Sequence, residues 1–368
     1  MKKTDLLTIK KTFSILLLKW DREQNTRQMP WKAEMDPYKI WLSEIILQQT
    51  RVEQGLSYYN NFIKTFPDIN KLAKAPDSTV FKLWEGLGYY TRCRNLIATA
   101  RYISKELKGK FPDAYEDIKA LKGIGPYTAA AISSFAFNLP HAVVDGNVFR
   151  VLARVFGIDT PVDSTEGKKI FTALANDLLD KKQPGLYNQA IMDFGAVFCK
   201  PAAPLCVNCI FKKKCSAFLN NKADELPIKE KIIIIRKRWF YYLVVKYKNE
   251  MAIRQRTGKD IWKDLYEFPL IETEKEANKK SILQNLNKKK WLTKKSYEAV
   301  SVSSLFKQHL SHQLIAGKFL TLHLRQKPVL MNDWIWVTKT KVGKYAFPQF
   351  INQYLREASG SKKVIVKK

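Results

Sequence analysis

Hydrophobic positions in the first 219 residues recur with the period of an α-helix. In the opening segment, apolar side chains fall on one helical face at Leu6, Ile9, Phe13, Leu16 and Trp20. Prolines and glycines interrupt the pattern and mark successive helix ends; they are Pro37, Pro67, Pro76, Gly86, Gly88, Pro112, Gly123, Gly125 and Pro140. The pattern predicts an all-α domain over residues 1–219.

The pattern changes after residues 220–231, a polar, aperiodic stretch that contains Pro227 and is typical of a linker. Short β-branched or aromatic runs then predict strands at residues 232–235, 239–245 and 320–324. A charged segment at residues 272–290 predicts a helix. We therefore expect a second, α+β domain over residues 232–358, followed by a basic tail at 359–368 without regular structure.

Charge narrows the class of partner. The chain has 64 Lys and Arg against 34 Asp and Glu, and its net charge of +30 favours a polyanion such as nucleic acid. No run approaches the ~18 apolar residues of a membrane span, and the apolar stretch at residues 15–18 is too short for a signal peptide. These features predict a soluble, cytoplasmic protein without a membrane partner, associated with the nucleoid if it is bacterial.

Four of the five cysteines are concentrated in one short segment. Cys199, Cys206, Cys209 and Cys215 have the spacing C-x6-C-x2-C-x5-C. In a chain without an export signal, this spacing favours metal ligation over disulfide bonds. Four thiolates can hold zinc or a [4Fe–4S] cluster, and thiolate chemistry alone does not distinguish the two. Cys93 lies outside this group and is predicted to be an ordinary buried thiol.

A glycine-containing turn at residues 121–129, LKGIGPYTA, is a candidate contact for nucleic acid. Gly123 and Gly125 allow a tight turn between helices, and bare backbone N–H groups there can face a phosphate. A plain helix–helix turn would use the same two glycines. Twenty residues beyond Gly125, Asp145 opens the segment DGNVFR, where its position predicts a helix N-cap.

Glu44 lies on a predicted helix at residues 37–50. Its helical face is otherwise mainly apolar and is formed by Ile40, Trp41, Leu47 and Gln48. Desolvation is expected to raise the pKa of such a carboxyl group and keep it protonated near neutral pH, as a general acid requires. The alternative is a structural glutamate that pairs with an arginine.

Four features in the same order along the chain, WLSEIILQQT at 41–50, LKGIGPYTA, VVDGNVFR at 143–150 and the cysteine spacing, resemble the MutY family of adenine DNA glycosylases. This family is a branch of the helix-hairpin-helix, endonuclease III-like superfamily. The resemblance implies that Glu44 protonates adenine N7 and then activates water, while Asp145, oriented by Asn147, stabilises the oxocarbenium ion. It also implies that the four cysteines hold one [4Fe–4S] cluster. Tyr127 stands where strand-nicking relatives carry a Schiff-base lysine, so a monofunctional enzyme is expected, with Tyr127 touching the sugar or the catalytic carboxyl groups.

The resemblance further assigns residues that bind DNA and the adenine, because the target base must leave the duplex before it can react. The assigned positions are Gln49 and Tyr89 as wedges, Thr50 and Leu87 beside the opposite base, Arg27, Trp31 and Gln189 in the adenine pocket, and Gly123 and Gly125 at the DNA backbone. Gln189 stands where many relatives carry Glu.

Two motifs beyond the linker, WKDLYEFP at 262–269 and KQHLSH at 307–312, resemble the MutT-like (Nudix-like) domain of MutY proteins. The resemblance implies that Ser311 and His312 recognise 8-oxoguanine, with Leu310 in place of the usual Phe. The glutamate-rich box of active Nudix hydrolases is lacking, so this domain is expected to bind rather than hydrolyse. A surface strand end is the alternative interpretation of the two histidines.

The combined expectation is a multidomain monomer. An all-α helix-hairpin-helix glycosylase domain, with its cluster loop at residues 199–215, precedes a MutT-like domain, and the substrate is double-stranded DNA with A:8-oxoguanine or A:G mispairs. Two alternatives stay open. One is a bifunctional glycosylase of the thymine-glycol type, and the other is a zinc-stapled DNA-binding protein without catalysis.

Overall fold

The computed structural model describes residues 3–29, 31–231, 234–289, 291–328 and 333–360, with the side chains of all of these except 3–8 and 299. The chain divides into two compact units. The first consists of Met1–Lys74 and Arg94–Ile232, and the second of Ala75–Cys93 and Ile233–Lys368. Residues 75–93 thus group with the second unit although they precede the predicted linker; the predicted domain boundaries themselves stay a prediction.

Helices dominate the chain up to residue 219, which confirms the predicted all-α fold class. They are α1 (Lys3–Gln24), α2 (Pro37–Leu47), α3 (Val52–Thr65), α4 (Ile69–Lys74), α5 (Asp77–Trp84), α6 (Tyr90–Glu106), α7 (Tyr115–Ala120), α8 (Pro126–Phe137), α9 (Gly146–Phe156), α10 (Thr165–Leu178), α11 (Pro184–Asp193) and α12 (Ser216–Leu219). A π-helical turn, Phe194–Phe198, continues α11. No helix among the described residues is long and apolar enough to cross a membrane.

Local sequence explains where the helices of the candidate site begin. A proline starts α2, and its N-cap Asp36 accepts a hydrogen bond from the Tyr38 N–H at 2.9 Å. A proline also starts α8, directly after Gly125. Asp145 caps α9 through its side chain. These starts fix the helical face on which each following side chain lies.

Helix α8 packs against α2, α7 and α11 in the first unit. Small side chains at Ala129, Ala130 and Ala131 are at most 3% exposed and permit this close approach. The predicted face of α1 is buried at Phe13 and Trp20. Leu6, which belongs to the same prediction, lies outside the residues whose side chains are described.

The second unit is built on a mixed sheet, with strands β1 (Arg236–Tyr247), β2 (Glu250–Gln255), β3 (Tyr266–Glu267), β4 (Leu270–Thr273), β5 (Tyr297–Val302), β6 (Phe306–His309), β7 (Gln313–Leu324) and β8 (Ile335–Thr338). The order is β3-β2-β1-β7-β5, with β4 beside β1, β6 beside β7 and β8 beside β2. Strands β1 and β7 are parallel, and the other pairs are antiparallel. Two helices, α13 (Lys279–Lys288) and α14 (Gln349–Ala358), complete the α+β unit that the sequence predicts.

Two details of the second unit differ from the prediction. The predicted strand at 232–235 is wrong for residues 234 and 235, which precede β1, and residues 232 and 233 lie outside the described part. The predicted helix at 272–290 is too long, because β4 extends to Thr273 and α13 begins only after Asn278. Asn278 Oδ1 accepts the Ser281 N–H at 2.9 Å and caps α13 at that point.

Helix α5 and the turn after it are hydrogen-bonded to residues 345–352. Glu85 Oε1 accepts hydrogen bonds from the Phe347 N–H at 2.7 Å and from Asn352 Nδ2 at 2.9 Å. Lys82 Nζ donates to the Tyr345 carbonyl oxygen at 3.1 Å. These bonds hold the segment that contains Leu87 and Tyr89 against the start of α14.

Candidate active site

Glu44 is buried on α2, with 7% of its surface exposed. Burial is the main cause that raises its pKa to about 7; the negative charge of Asp145 raises it further, and a hydrogen bond from Tyr127 lowers it. No Lys or Arg pairs with Glu44 in the described part of the chain. A substantial fraction of Glu44 is therefore protonated at neutral pH, as a general acid must be.

Tyr127 lies on the first turn of α8 and donates its phenolic hydrogen to Glu44. Burial, followed by the negative charges of Glu44 and Asp145, raises the pKa of Tyr127 well above its ordinary value. The phenol is thus a permanent donor near neutral pH. The predicted position of Tyr127 beside the two carboxyl groups agrees with these contacts, while its role in catalysis stays a prediction.

The turn before α8 has the shape expected of a hairpin between helices α7 and α8. Gly123 has a φ of +82°, and a Cβ there would meet Asn95 Nδ2 at 2.6 Å, so only glycine fits without displacement. Gly125 is exposed, and a Cβ at this position would meet no other described part of the chain within 4 Å. Its open surface leaves room for a phosphate, and a plain helix–helix turn remains compatible with the same geometry.

Asp145 combines the N-cap role with a position beside Glu44 and Tyr127. Its Oδ1 accepts the N–H groups of Asn147 at 2.9 Å and Val148 at 2.8 Å. Burial raises the pKa of Asp145, while these bonds, the Asn147 side chain and the charge of Arg150 act to lower it. Burial outweighs these contacts, so the pKa of Asp145 stays above its ordinary value, and the helix start offsets only part of that rise.

Asn147 and Arg150 form a chain of hydrogen bonds behind Asp145. Asn147 Nδ2 donates to Asp145 Oδ2 at 2.8 Å, and Arg150 Nη2 donates to Asn147 Oδ1 at 2.8 Å. Arg150 also donates to the carbonyl oxygens of Gly195 at 2.6 Å and Cys199 at 2.7 Å. Sequence reasoning predicted that Asn147 orients Asp145 but did not identify Arg150. The sequence signal for Arg150 was its position three residues after Asn147 in VVDGNVFR.

All four cysteines of the segment 199–215 line one cavity, together with Arg154 and Lys212 and the apolar side chains of Val155, Phe194 and Phe198. None of them forms a disulfide bond. Burial raises the pKa of Cys206, Cys209 and Cys215, that of Cys209 to about 12, and the neighbouring thiols raise each of them further. Four thiolates in such a cavity need a compensating metal charge, and a thiolate-bound iron–sulfur cluster fits this donor set. No group of three His, Cys, Asp or Glu side chains in the described ranges is arranged to hold a single metal ion.

The predicted adenine-pocket residues Arg27 and Gln189 are joined by a residue that sequence reasoning missed. Arg27 Nη1 donates to Asp193 Oδ1 at 2.7 Å, and Gln189 Nε2 donates to the same oxygen at 3.1 Å. Trp31 lies apart from these bonds and contacts the Tyr59 ring edge-on, with 5.4 Å between centroids. The only sequence signal for Asp193 is its spacing of four residues from Gln189 on α11.

The predicted wedge residues share an unusual backbone. Gln49 and Tyr89 have positive φ values of 55° and 47°, which cost free energy for non-glycine residues and often mark functional turns. Both are exposed, whereas Leu87 is buried with 6% of its surface exposed. Thr50 follows Gln49 in the turn after α2 and donates its hydroxyl to the Gln48 carbonyl oxygen.

Ser311 and His312 are exposed on the turn between β6 and β7. The Leu310 N–H donates to the Gln313 carbonyl oxygen at 2.8 Å and closes this turn. The Ser311 hydroxyl is hydrogen-bonded to the Tyr89 hydroxyl. One predicted wedge residue and one predicted 8-oxoguanine residue are therefore in direct contact.

Comparisons with known proteins agree with this geometry. A family model described as HhH-GPD superfamily base excision DNA repair protein matches residues 42–176, and a NUDIX domain model matches residues 240–357. The chain is 35% identical to the adenine DNA glycosylase of Buchnera aphidicola subsp. Baizongia pistaciae, over 86% of this chain and 85% of that one. It is 42% identical to the adenine DNA glycosylase of Homo sapiens, over 57% of this chain and 40% of that one.

Solved structures match the helical part. A thermostable thymine-DNA glycosylase aligns with a TM-score of 0.55 and 29% identity, over 58% of this chain and 99% of that chain. A trapped endonuclease III–DNA covalent intermediate aligns with a TM-score of 0.51 and 16% identity, over 60% of this chain and 99% of that chain. The second match supports the fold alone.

Proposed function

Because the chain belongs to the family of adenine DNA glycosylases, we propose that it hydrolyses the N-glycosidic bond of adenine paired with 8-oxoguanine or guanine in double-stranded DNA. The observation that carries the proposal is Glu44, a buried carboxylic acid whose pKa is raised to about 7 and which lies beside Tyr127 and Asp145. An acid and a carboxylate in one site are the pair that glycosidic bond cleavage requires.

In the proposed reaction, the proton of Glu44 passes to adenine N7. The bond between N9 and C1′ then breaks, and its electron pair leaves with the base. Asp145 stabilises the positive charge that develops on the sugar, because its carboxylate is held in place by the start of α9. Glu44, now a carboxylate, accepts a proton from the water that attacks C1′, and the acid is restored.

Strand cleavage is not part of the proposed reaction. The bifunctional alternative needs an amine at the sugar to form a Schiff base. The corresponding position is Tyr127, whose pKa is raised well above its ordinary value, so the phenol stays a hydrogen-bond donor. We therefore propose a monofunctional enzyme that leaves an abasic site.

The segment 199–215 supports a second part of the proposal, in which Cys199, Cys206, Cys209 and Cys215 hold one [4Fe–4S] cluster. When bound, such a cluster would cross-link the segment and keep it folded. Arg154 supports the same segment from α9, because it donates to the Lys200 carbonyl oxygen at 2.7 Å and to Cys199 Sγ at 3.5 Å. The exposed side chains of Lys212 and Lys213 in this segment would contact DNA phosphates.

The second unit is proposed to read the base opposite adenine. Ser311 and His312 are exposed and carry the donors and acceptors that the oxidised face of 8-oxoguanine requires. The hydrogen bond between Ser311 and Tyr89 favours a shared role in base recognition for the turn between β6 and β7 and the predicted wedge residue Tyr89. The net charge of +30 supports tight binding of the duplex. We propose that the protein acts as a monomer.

A labelled duplex that contains adenine opposite 8-oxoguanine tests the proposed function. Incubation should release adenine and leave an intact strand that breaks only after heating in alkali. Strand breakage without alkali would favour the bifunctional alternative. If no adenine is released and the purified protein contains zinc instead of iron and sulfide, the non-enzymatic DNA-binding alternative is correct.

A further inference from the structure

Asp193 is a fully buried carboxylate at the end of α11, with 0% of its surface exposed. Four side chains donate hydrogen bonds to it. Arg27 Nη1 lies 2.7 Å and Gln189 Nε2 lies 3.1 Å from Oδ1, while Asn25 Nδ2 lies 3.0 Å and Lys32 Nζ lies 3.3 Å from Oδ2. Two cations and two amides thus surround one buried negative charge, and the catalytic steps proposed above do not use it.

The first consequence of these bonds concerns the segment between α1 and α2. Asn25 donates to Asp193 and also accepts the Arg27 N–H on its Oδ1 at 3.0 Å. With Lys32 bound to the same carboxylate, both ends of the segment 25–32 are fastened to α11. Arg27 therefore has a fixed position relative to Gln189.

The second consequence concerns the amide of Gln189. A glutamine side chain has a donor end and an acceptor end, and in most settings either end can face a partner. Asp193 lies four residues further along α11, and its carboxylate only accepts hydrogen bonds. Nε2 must therefore face Asp193, which leaves Oε1 as the atom that can accept a hydrogen bond from another partner. No side chain in the described ranges donates a hydrogen bond to Oε1.

We propose that Asp193 is a positioning residue that determines adenine selectivity by fixing the Gln189 amide with its carbonyl oxygen toward the extruded base. Adenine presents a 6-amino donor, which this oxygen can accept, whereas guanine and hypoxanthine present a 6-oxo acceptor. Sites built around one such bond discriminate strongly against a base that lacks the donor. This inference rests on the proposed function and on the assignment of Gln189 to the adenine pocket.

The pairing with Asp193 also favours glutamine over glutamate at position 189. A glutamate would place a second negative charge one helical turn from Asp193, and like charges at this spacing repel each other. A glutamine oriented by Asp193 supplies the same acceptor without that repulsion. Arg27 and Lys32 already balance the charges of Asp193 and Asp21, because Lys32 Nζ also lies 3.8 Å from Asp21 Oδ1.

The experiment compares single-turnover release of adenine with that of unsubstituted purine, which lacks the 6-amino group, from otherwise identical duplexes. Asp193→Asn allows the Gln189 amide to face either way. We expect it to lower the adenine-to-purine rate ratio by about tenfold, the effect of one lost hydrogen bond. Asp177→Asn, at a surface carboxylate bonded to Lys10, is the matched control and should leave the ratio unchanged.

A rescue variant separates orientation from general damage. In the Asp193→Asn background, Gln189→Glu presents an acceptor oxygen in either orientation and should restore the ratio to within about twofold of wild type. An unchanged ratio in Asp193→Asn, or no restoration in the double variant, would overturn the inference. If Asp193→Asn does not fold, Gln189→Met in the otherwise wild-type chain must lower the adenine-to-purine ratio by a similar factor. A normal ratio in Gln189→Met would also overturn the inference.

The inference and the proposed function fail in different ways. If the wild-type protein releases no adenine from either mispair, the proposed function is wrong and the inference falls with it. If the wild type releases adenine but Asp193→Asn keeps the normal ratio, only the role of Asp193 is wrong.

Discussion

Arg150 Nε donates to the carbonyl oxygen of Cys199 at 2.7 Å, and the same guanidinium donates through Nη2 to Asn147. Asn147 in turn donates to Asp145. The Arg150 guanidinium therefore connects the Cys199 carbonyl group, through Asn147, to the Asp145 carboxylate. We expect a change in the fold of residues 199–215 to alter the position of Asp145 through these hydrogen bonds.

Replacement of Arg150 by lysine tests this connection, because lysine keeps the charge but cannot form the forked hydrogen bonds. We expect Arg150→Lys to slow adenine release by about tenfold or more, since it leaves Asn147 and two carbonyl oxygens without their donor. Single-turnover rates at saturating enzyme measure the effect, and iron and sulfide content is determined in parallel. Arg22→Lys, at an exposed position near the end of α1, is the control. A normal rate in Arg150→Lys would show that Asp145 does not depend on this contact.

Replacement of Glu44 by glutamine removes the proposed acid and base but no positive charge. We expect Glu44→Gln to abolish adenine release while DNA affinity stays within about tenfold of wild type, because the phosphate contacts are unaltered. Rates on an A:8-oxoguanine duplex and a binding titration with the same duplex at fixed salt measure the two effects. Substantial remaining excision would mean that another residue supplies the proton.

The raised pKa of Glu44 predicts how activity depends on pH. The acid form is required, so kcat/KM should fall as the pH rises through about 7, which is the pKa of the free enzyme. Tyr127→Phe removes a hydrogen bond that lowers the Glu44 pKa. The fall in kcat/KM, the basic limb of the pH profile, should therefore move to higher pH in this variant. Rate measurements over a pH series for both proteins provide the comparison. A limb that does not move in Tyr127→Phe would contradict the assigned contact.

The same pKa predicts a change in stability. Because the pKa of Glu44 in the folded state lies above that in the unfolded chain, ionisation of Glu44 opposes folding, and stability falls as the pH rises from the unfolded pKa toward about 7. Glu44→Gln removes this loss. The difference in free energy of unfolding between Glu44→Gln and wild type should therefore change with pH. From about pH 4 to about pH 8 it should shift in favour of the variant by up to about 3 kcal/mol. Denaturant titrations at the two pH values measure it, and an equal difference at both would contradict the pKa.

Features with local causes could be predicted from the sequence. Glu44 was expected to be buried because its neighbours on the helical face are apolar, and the fold does bury it. The N-cap at Asp145 follows from the residues directly after it. The prediction failed at residues 234 and 235, whose β-branched side chains favour a strand. Ile234 is 85% exposed there, because backbone pairing begins only at Arg236, whose N–H donates to the His312 carbonyl oxygen.

Features with distant partners could not be predicted. Arg27 and Asp193 are 166 residues apart in sequence, and Arg150 and Cys199 are 49 apart. Neither pair follows a helical or strand period, so only the folded chain brings them together. A resemblance to known motifs identifies positions such as Arg27, but it does not indicate the buried carboxylate that fixes them.

Glu85 predicts a stability effect in the second unit. Its Oε1 accepts one hydrogen bond from Phe347, just before α14, and one from Asn352 in the first turn of α14, and Glu85→Ala would leave those donors without this acceptor. We expect a loss of about 1–3 kcal/mol in the free energy of unfolding of that unit. Thermal denaturation of the full chain measures it, with Glu106→Ala, at the exposed end of α6, as the control. Equal stability of the two variants would contradict the structural role.

Ser311 and His312 predict a separable effect on recognition of the opposite base. The double variant Ser311→Ala with His312→Ala removes the exposed donors and acceptors of the turn between β6 and β7 and the bond to the Tyr89 hydroxyl. We expect the preference for A:8-oxoguanine over A:G to fall by about tenfold, while the rate on A:G changes little, because Glu44 and Asp145 are untouched. Tyr89→Phe removes only the bond to Ser311 and keeps the ring, so it should lower the preference less. Unchanged discrimination in the double variant would exclude this turn from recognition, and an equal loss on both duplexes would mean that the turn contributes to DNA binding alone.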